Sequence, residues 1–401
     1  MDSVDDEGYT PLLHAALMGH RAVVEALLAE GADVSVRTNS GKSALDMAFA
    51  KGHVDIGRAI IDYGADVNAA DARRFAPLHY ATPLHHATAG GYTGATRALL
   101  AAGADATLRC REGTWMGWSA LDIAVAKGLT DIAIMILTHG VDVNPPGGNG
   151  PLHIAAQNGN AEVVPLLSAK GANADHINGQ GYTPLVISAG RDHVAVTRAL
   201  LAAGAKAGFR MGHEGWSALD MAASEGHVQN ATAIIEHGVD VNNAAGDGST
   251  PLHNAAERNK PATIDVLVRA GADIEQEDDD GATPLHIAAY ESALAAVLAL
   301  LKHGASVNKQ DTEGDTPLHY AALNAGTLGT AEVVDLLLRW GADENITANN
   351  GKAAADVVGS RVYRRQGKLA EDVERVRQLL ANAPADRAWR RRGFLVLCRA
   401  H

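Results

Sequence analysis

Aromatic residues make up only 4% of this 401-residue chain, although apolar residues reach 47%. A core drawn from that pool is built of Ala, Leu, Val and Ile between closely spaced helices. Cysteine is nearly absent, with only Cys110 and Cys398 present. Two distant cysteines give no disulfide framework and no zinc-ligand spacing, which predicts a reducing compartment. No apolar run approaches the ~20 residues a membrane-spanning helix requires. The opening residues, Met1-Asp2-Ser3-Val4-Asp5-Asp6, are acidic and lack the apolar core of a signal peptide. Positive charge is scarce too: 34 Lys and Arg face 47 Asp and Glu, a net of −13. That balance argues against nucleic acid as a partner, because phosphate contacts need clustered cations. The expectation is a soluble intracellular, cytoplasmic protein, and composition does not separate cytoplasm from nucleus. The deficit is uneven, since residues 361–401 hold eleven Lys/Arg against four Asp/Glu, a net of +7, which leaves −20 for residues 1–360.

What is abundant is repetition. Glycine opens a similar stretch at Gly8, Gly41, Gly117, Gly148, Gly181, Gly215, Gly248, Gly281, Gly314 and Gly351, and from Gly148 to Gly314 the intervals are 33, 34, 33, 33 and 33 residues. One full copy reads Gly281-Ala-Thr-Pro-Leu-His-Ile-Ala-Ala289 and closes on Leu300-Leu-Lys-His-Gly-Ala305. A fixed period near 33 with a Thr-Pro-Leu-His core marks a solenoid of small helical units. Thr283-Pro284 starts a helix, as Thr is a good N-cap and Pro at the first helical position has no N–H to lose. Small Ala residues then let the next unit approach. A break such as Gly19-His20 or Gly226-His227 precedes a second helix with apolar residues at helical spacing, for example Val333, Val334, Leu336, Leu337 and Leu338.

These residues resemble the ankyrin repeat family over most of the chain. The resemblance implies an all-α, ankyrin-repeat solenoid of helix-turn-helix units joined by β-hairpin fingers. It also implies binding of partners through the fingertips and the inner face of the first helices. The expected organisation is residues 1–70 as repeats one and two, 71–144 as repeats three and four, 145–343 as repeats five to ten, 344–383 as a C-terminal capping repeat, and 384–401 as a basic-apolar tail. Repeat three is irregular: Pro77-Leu-His-Tyr-Ala-Thr82 is followed at once by Pro83-Leu-His-His-Ala-Thr88. A tandem duplication or a deletion that fused two repeats both produce this pattern. Internal comparison favours deletion: Ser119 and Ser217, which open two Ser-Ala-Leu-Asp copies, lie 98 residues apart, whereas Ser43 and Ser119 lie only 76 apart.

The 18 histidines invite a catalytic or metal-binding reading, yet most recur at fixed repeat positions, notably His153, His253, His286 and His319. The resemblance gives the first-helix His a structural role, bonding backbone around the finger. At Asp46, Asp122, Asp220 and Asp356 the chain carries Asp there, also expected to cap the helix rather than to act as an acid. Gly41-Lys42-Ser43 lacks the full phosphate-loop spacing, and Asp278-Asp279-Asp280-Gly281 lacks the alternating ligands and final Glu of a calcium loop. No cofactor, no metal and no enzymatic activity are expected.

Recognition remains. The residues that vary between copies on the implied binding face are Tyr9, Leu17, Met18, Trp115, Met116, Trp118, Tyr182, Trp216, Asp279, Asp280, Tyr290 and Asp315. Three of the five Trp residues fall among them, and Trp and Tyr are favoured interface anchors; packing between neighbouring fingers explains them equally well. The expected partner is a protein segment with apolar anchors and nearby Lys or Arg, bound by a monomeric scaffold or adaptor. The alternative is the substrate-recognition or regulatory arm of an enzyme or ubiquitin-ligase assembly whose catalytic part is another chain. Membrane contact through the tail is the weakest option, since the five apolar residues Phe394–Cys398 cannot span a bilayer and one basic cluster binds weakly.

Overall fold

The computed structural model describes residues 2–69, 82–110, 115–146, 148–210, 215–360 and 370–383. The chain divides into two compact units, Met1–Pro184 and Leu185–His401. In the first, α1 (Pro11–Met18) pairs with α2 (Arg21–Ala29), α3 (Ala44–Ala50) with α4 (Val54–Asp62), and α5 (Pro83–Ala89) with α6 (Thr93–Ala101). Next come α7 (Ala120–Ala126) with α8 (Thr130–Leu137), and α9 (Pro151–Asn158), whose partner is a 3-10 turn, Ala161–Val163, running into α10 (Val164–Ala169). First helices stack on first helices, α1 through α9, and second helices on second helices.

The second unit repeats the plan with α11 (Pro184–Gly190) and α12 (Val194–Ala202), α13 (Ala218–Glu225) and α14 (Val228–Glu236), and α15 (Pro251–Glu257) and α16 (Pro261–Arg269). It continues with α17 (Pro284–Tyr290) and α18 (Leu294–Lys302), and α19 (Pro317–Leu323) and α20 (Thr330–Arg339). A 3-10 turn at Ala354–Val357 packs on α19 in place of a further first helix. Residues 370–383 form the last helix, α21, which buries Val376 and Leu380 and reaches α20 through Arg375 to Glu332 at 2.7 Å.

Small side chains set the spacing. Ala288 and Ala289 of α17 are fully buried, as are Ala255 and Ala256 of α15 and Ala321 and Ala322 of α19. Phe49 of α3 is the exception, a fully buried ring in an alanine-rich layer. It fits because α4 carries Gly57 opposite, where an added Cβ would sit 2.3 Å from Phe49 Cζ. Gly→Ala inside a helix ordinarily stabilises by about 1 kcal/mol. Here the sign reverses: Gly57→Ala is expected to lower the urea unfolding midpoint, at an overpacking cost of about 1–3 kcal/mol. Adding Phe49→Leu should return most of the loss, and a midpoint that rises with Gly57→Ala alone refutes the packing argument.

The fingers are narrower than the expected β-hairpins. No strand occurs among the described residues, and the fingers hold only isolated antiparallel bridges such as Arg37 with Ser43 and Thr347 with Ala353. The finger before α17 is a closed turn. Asp278 N–H donates to Ala282 O (3.0 Å) and Gly281 N–H to Asp278 O (3.0 Å), while Asp278 Oδ1 accepts the N–H groups of Asp280 (3.0 Å) and Ala282 (2.8 Å). The same pattern recurs at Asp5, Asn178 and Asp311. The helix cap follows immediately after the turn, so too few residues remain on that side for a ladder. Neighbouring fingers are stitched instead by single bonds, Asp279 N–H to Asp247 O (3.0 Å) and Thr312 N–H to Asp280 O (3.2 Å).

The pair α3–α4 packs directly against α5–α6. The choice between duplication and deletion in repeat three turns on residues 70–81, which lie outside the described residues, as does the 384–401 tail.

Candidate partner-binding face

The histidine frame is built as the cap chemistry requires. In α17, Thr283 N–H donates to His286 Nδ1 at 3.0 Å. That leaves the ring proton on Nε2, which donates to Asp315 O (3.2 Å) and Lys309 O (3.1 Å) of the next finger. His253 makes the same bridge to Ala282 O and His319 to Lys352 O. In the first unit His153 bridges to Tyr182 O. One imidazole thus caps its own helix and fastens the following finger. Burial holds His153 and His286 neutral, with pKa values lowered to about 4.

Where Asp replaces His, a different device appears. Asp46, Asp122 and Asp220 are buried and accept the N–H and O–H of Ser43, Ser119 and Ser217. A carboxylate cannot donate to the next finger. Instead an arginine from the same unit's finger arm meets it: Arg37 at 3.5 Å, Arg109 at 3.0 Å and Arg210 at 2.8 Å. Each guanidinium also donates to the carbonyl of the finger glycine, Gly41, Gly117 or Gly215. Burial pushes all three carboxyls up against the pull of these partners. Sequence reasoning missed the arginines, although a signal was present. The residue just before the finger corner is Arg in the three Ser-Ala-Leu-Asp units and Val4, Ile177, Ala244, Glu277 or Gln310 in others. Asp356, the fourth such Asp, is exposed and caps Ala353 N–H at 2.9 Å.

On this frame the expected recognition residues separate into clusters within each unit. In the first unit Trp115 and Trp118 pack against each other, ring centroids 5.1 Å apart, with Met116 beside them 67% exposed. Lys127 Nζ lies 6.0 Å from the Trp115 ring and donates to Ala89 O. Tyr9 stacks on His14 at 4.7 Å, and His14 Nε2 meets Asp5 Oδ2 at 2.9 Å. Leu17 is half-buried, Met18 is 62% exposed and Tyr182 is 39% exposed. The Trp pair is therefore both packed and surface-facing.

In the second unit Trp216 is half-buried and Asp279 and Asp280 are exposed on one fingertip. Tyr290 lies edge-on to Tyr320, centroids 6.3 Å apart, and Tyr320 lies edge-on to His286 at 5.1 Å. Tyr320 O–H donates to Asp311 Oδ2 at 2.8 Å, which with burial pushes the phenol up. Burial likewise raises the carboxyls of Asp278 and Asp315. Tyr320 and Asp311 were not among the expected site residues. The spacing that joins them also joins Asp5 to His14, nine residues on in both cases.

A family model described as ankyrin repeats (3 copies) matches residues 1–71, 74–146, 152–245 and 252–348. Among curated proteins, the E3 ubiquitin-protein ligase KEG of Arabidopsis thaliana is 29% identical over 274 residues, which is 65% of this chain and 16% of the relative. The B-cell lymphoma 3 protein homolog of Mus musculus is 27% identical over 217 residues, 52% of this chain and 47% of the relative. Ankyrin repeat and SOCS box protein 16 of Mus musculus is 30% identical over 209 residues, 44% of this chain and 46% of the relative. The chain thus spans less than half the length of each of these relatives. Among solved structures, the human ASB11 ankyrin repeat domain is 29% identical with a TM-score of 0.49, covering 58% of this chain and 99% of that one. No described helix is long and apolar enough to cross a membrane. With the family model matched across most of its length and the helix pairs capped by Thr-Pro-Leu-His, the chain belongs to the ankyrin-repeat family.

Proposed function

We propose that this chain is a non-catalytic protein–protein interaction scaffold or adaptor inside the cell. It acts as a monomer and engages a partner through its fingers and first helices. The observation that carries this reading is the finger at Trp115–Trp118, where a packed aromatic pair presents Met116 outward. Large apolar side chains held on a rigid turn are what a binding hot spot needs, since little conformational entropy is lost on docking. Trp216 occupies the corresponding place in the second unit, and the acids at Asp279, Asp280 and Asp315 favour a partner with Lys or Arg beside its apolar anchors.

Crosslinked partners captured with the wild-type chain are expected to fall at least tenfold with Trp118→Ala combined with Trp216→Ala. Met116→Asp supplies a second variant that removes no packed ring. Undiminished capture by both variants sinks the proposal.

The curated matches named as E3 ubiquitin-protein ligases, KEG and XBAT32 of Arabidopsis thaliana, favour a second reading: a substrate-recognition arm working with a catalytic part on another chain. Ubiquitin-ligase subunits among the captured partners would select it over a free-standing scaffold.

A further inference from the structure

Beyond its first finger, the recognition side of the first unit carries exposed charge of one sign. Over residues 39–51, 82–90, 115–127 and 148–158 the carboxylates are Asp46 and Asp122 alone. Both are buried, and each is already met by an arginine, Arg37 or Arg109. The same stretches hold Lys42, Lys51 and Lys127, none of which meets a carboxylate among the described residues. Lys51 and Lys127 are exposed and fill one place in the repeat, the C-cap of α3 and of α7. The helix dipole favours a cation there, and Lys127 spends one donor on Ala89 O at the end of α5, at 2.8 Å. That structural role leaves two of its three N–H groups over. The Lys51 ammonium bonds nothing among the described residues. In the second unit the same place alternates in sign, as Arg191, Glu225, Arg258 and Glu291, so the row without acid is particular to the first.

We propose that this face takes an extended acidic segment of a partner protein, with two carboxylates on Lys51 and Lys127 and an apolar side chain on the Trp115–Trp118 pair. The inference rests on reading the fingers and first helices as a recognition face, and it adds the charge of what the first unit accepts. Lys127 Nζ lies 6.0 Å from the Trp115 ring, so the apolar anchor and one carboxylate anchor sit side by side. Helices α3, α5 and α7 stack in succession. Packed helices lie about 8–10 Å apart, which separates the two lysines by roughly 16–20 Å. An extended chain advances about 3.3 Å per residue and alternates its side chains. About six residues therefore separate the two carboxylates, and both fall on one side of the segment. Three lysines spread over this face are too sparse for a phosphate backbone, which needs clustered cations.

The test uses a defined probe on the full-length chain: a fluorescein-labelled peptide of about 13 residues, with Glu at alternate central positions, Phe near both ends and Ser elsewhere. It is expected to bind saturably in fluorescence anisotropy. Lys51→Glu with Lys127→Glu should weaken that binding at least tenfold, because each change turns an attraction into a repulsion, and 1 M salt should do the same. Lys51→Glu alone, which breaks no described bond, should weaken it about threefold with the urea unfolding midpoint unchanged. Lys51→Arg with Lys127→Arg should keep the binding. A probe with Lys in place of each Glu should bind the charge-reversed chain at least tenfold more tightly than the unaltered one. Asp279→Asn with Asp280→Asn, in the second unit, should leave the Glu probe unaffected. No saturable binding of the Glu probe, or binding that ignores the lysine reversals, overturns the proposal. So does a single-stranded oligothymidine that binds with the same lysine dependence. Undiminished capture by the Trp118 and Trp216 variants would leave the lysine dependence standing, so the two failures are told apart.

Discussion

Arg210→Ala is expected to lower the unfolding free energy of the Leu185–His401 unit by about 3–5 kcal/mol, the range for removing one partner of a buried ion pair. Asp220 is fully buried and the Arg210 side chain only 16% exposed. The carboxylate accepts Ser217 N–H and O–H, Asn254 Nδ2 and Arg210 Nη1, while the guanidinium also reaches Gly215 O and Asn243 O. Removing Arg210 strips a buried charge of its ionic partner among the described residues and frees both carbonyls. Asp220→Asn separates the two losses. An amide oxygen still accepts from Ser217, and Asn254 can turn its own amide to match the new donor, so no charge is left uncompensated. In that background Arg210→Ala should cost no more than about 1–2 kcal/mol, the scale of unsatisfied neutral groups. Equal costs in both backgrounds, read from urea unfolding, would show that the ion pair is not what holds this finger. Arg109 and Asp122 offer a weaker copy, since Arg109 is 38% exposed.

The same pair shows how far the chain was legible from its residues. Helix boundaries, caps and the structural role of the histidines follow from local rules, because Thr-Pro fixes a helix start and a buried imidazole can satisfy its own cap and the next finger only in one orientation. The arginines were visible as letters but not as partners. The Arg-to-Asp separation varies between 9 and 13 residues because the fingers differ in length, so a search at fixed spacing passes over them. Tyr320 was overlooked for the opposite reason: it follows the framework His directly and reads as part of the repeat, while its partner Asp311 reads as a turn residue. Repetition exposes the frame and conceals contacts that one unit makes alone. The tips at Trp115 and Trp118 depend on an enlarged finger, whose conformation no period specifies.

Acid should loosen the frame before the surface. The His286 pKa is lowered from 6.5 to about 4 by burial, so the folded state holds fewer protons than the unfolded chain between those values. The stability that this imidazole contributes is present above pH 6.5 and is lost as the pH falls toward 4. Linkage across that window gives a loss of about 2 kcal/mol between pH 7 and pH 5. The raised carboxyls of Asp220, Asp278 and Asp315 act in the other sense. Their contribution is greatest in acid and is lost as pH rises through their folded values, so total stability is a poor readout. Comparison with His286→Asn isolates the imidazole, because Asn keeps an acceptor for Thr283 N–H and does not titrate. Hydrogen exchange of amides in α17 and α19 at pH 7 and pH 5, corrected for intrinsic rates, should show the unaltered chain losing about 2 kcal/mol more protection than the variant. Parallel losses would mean that His286 protonates in place, and that its bonds to Asp315 O and Lys309 O do not fasten the finger. A steeper loss would instead carry down the stack, since His253, His286 and His319 each tie a first helix to the next finger, and α15, α17 and α19 would open together.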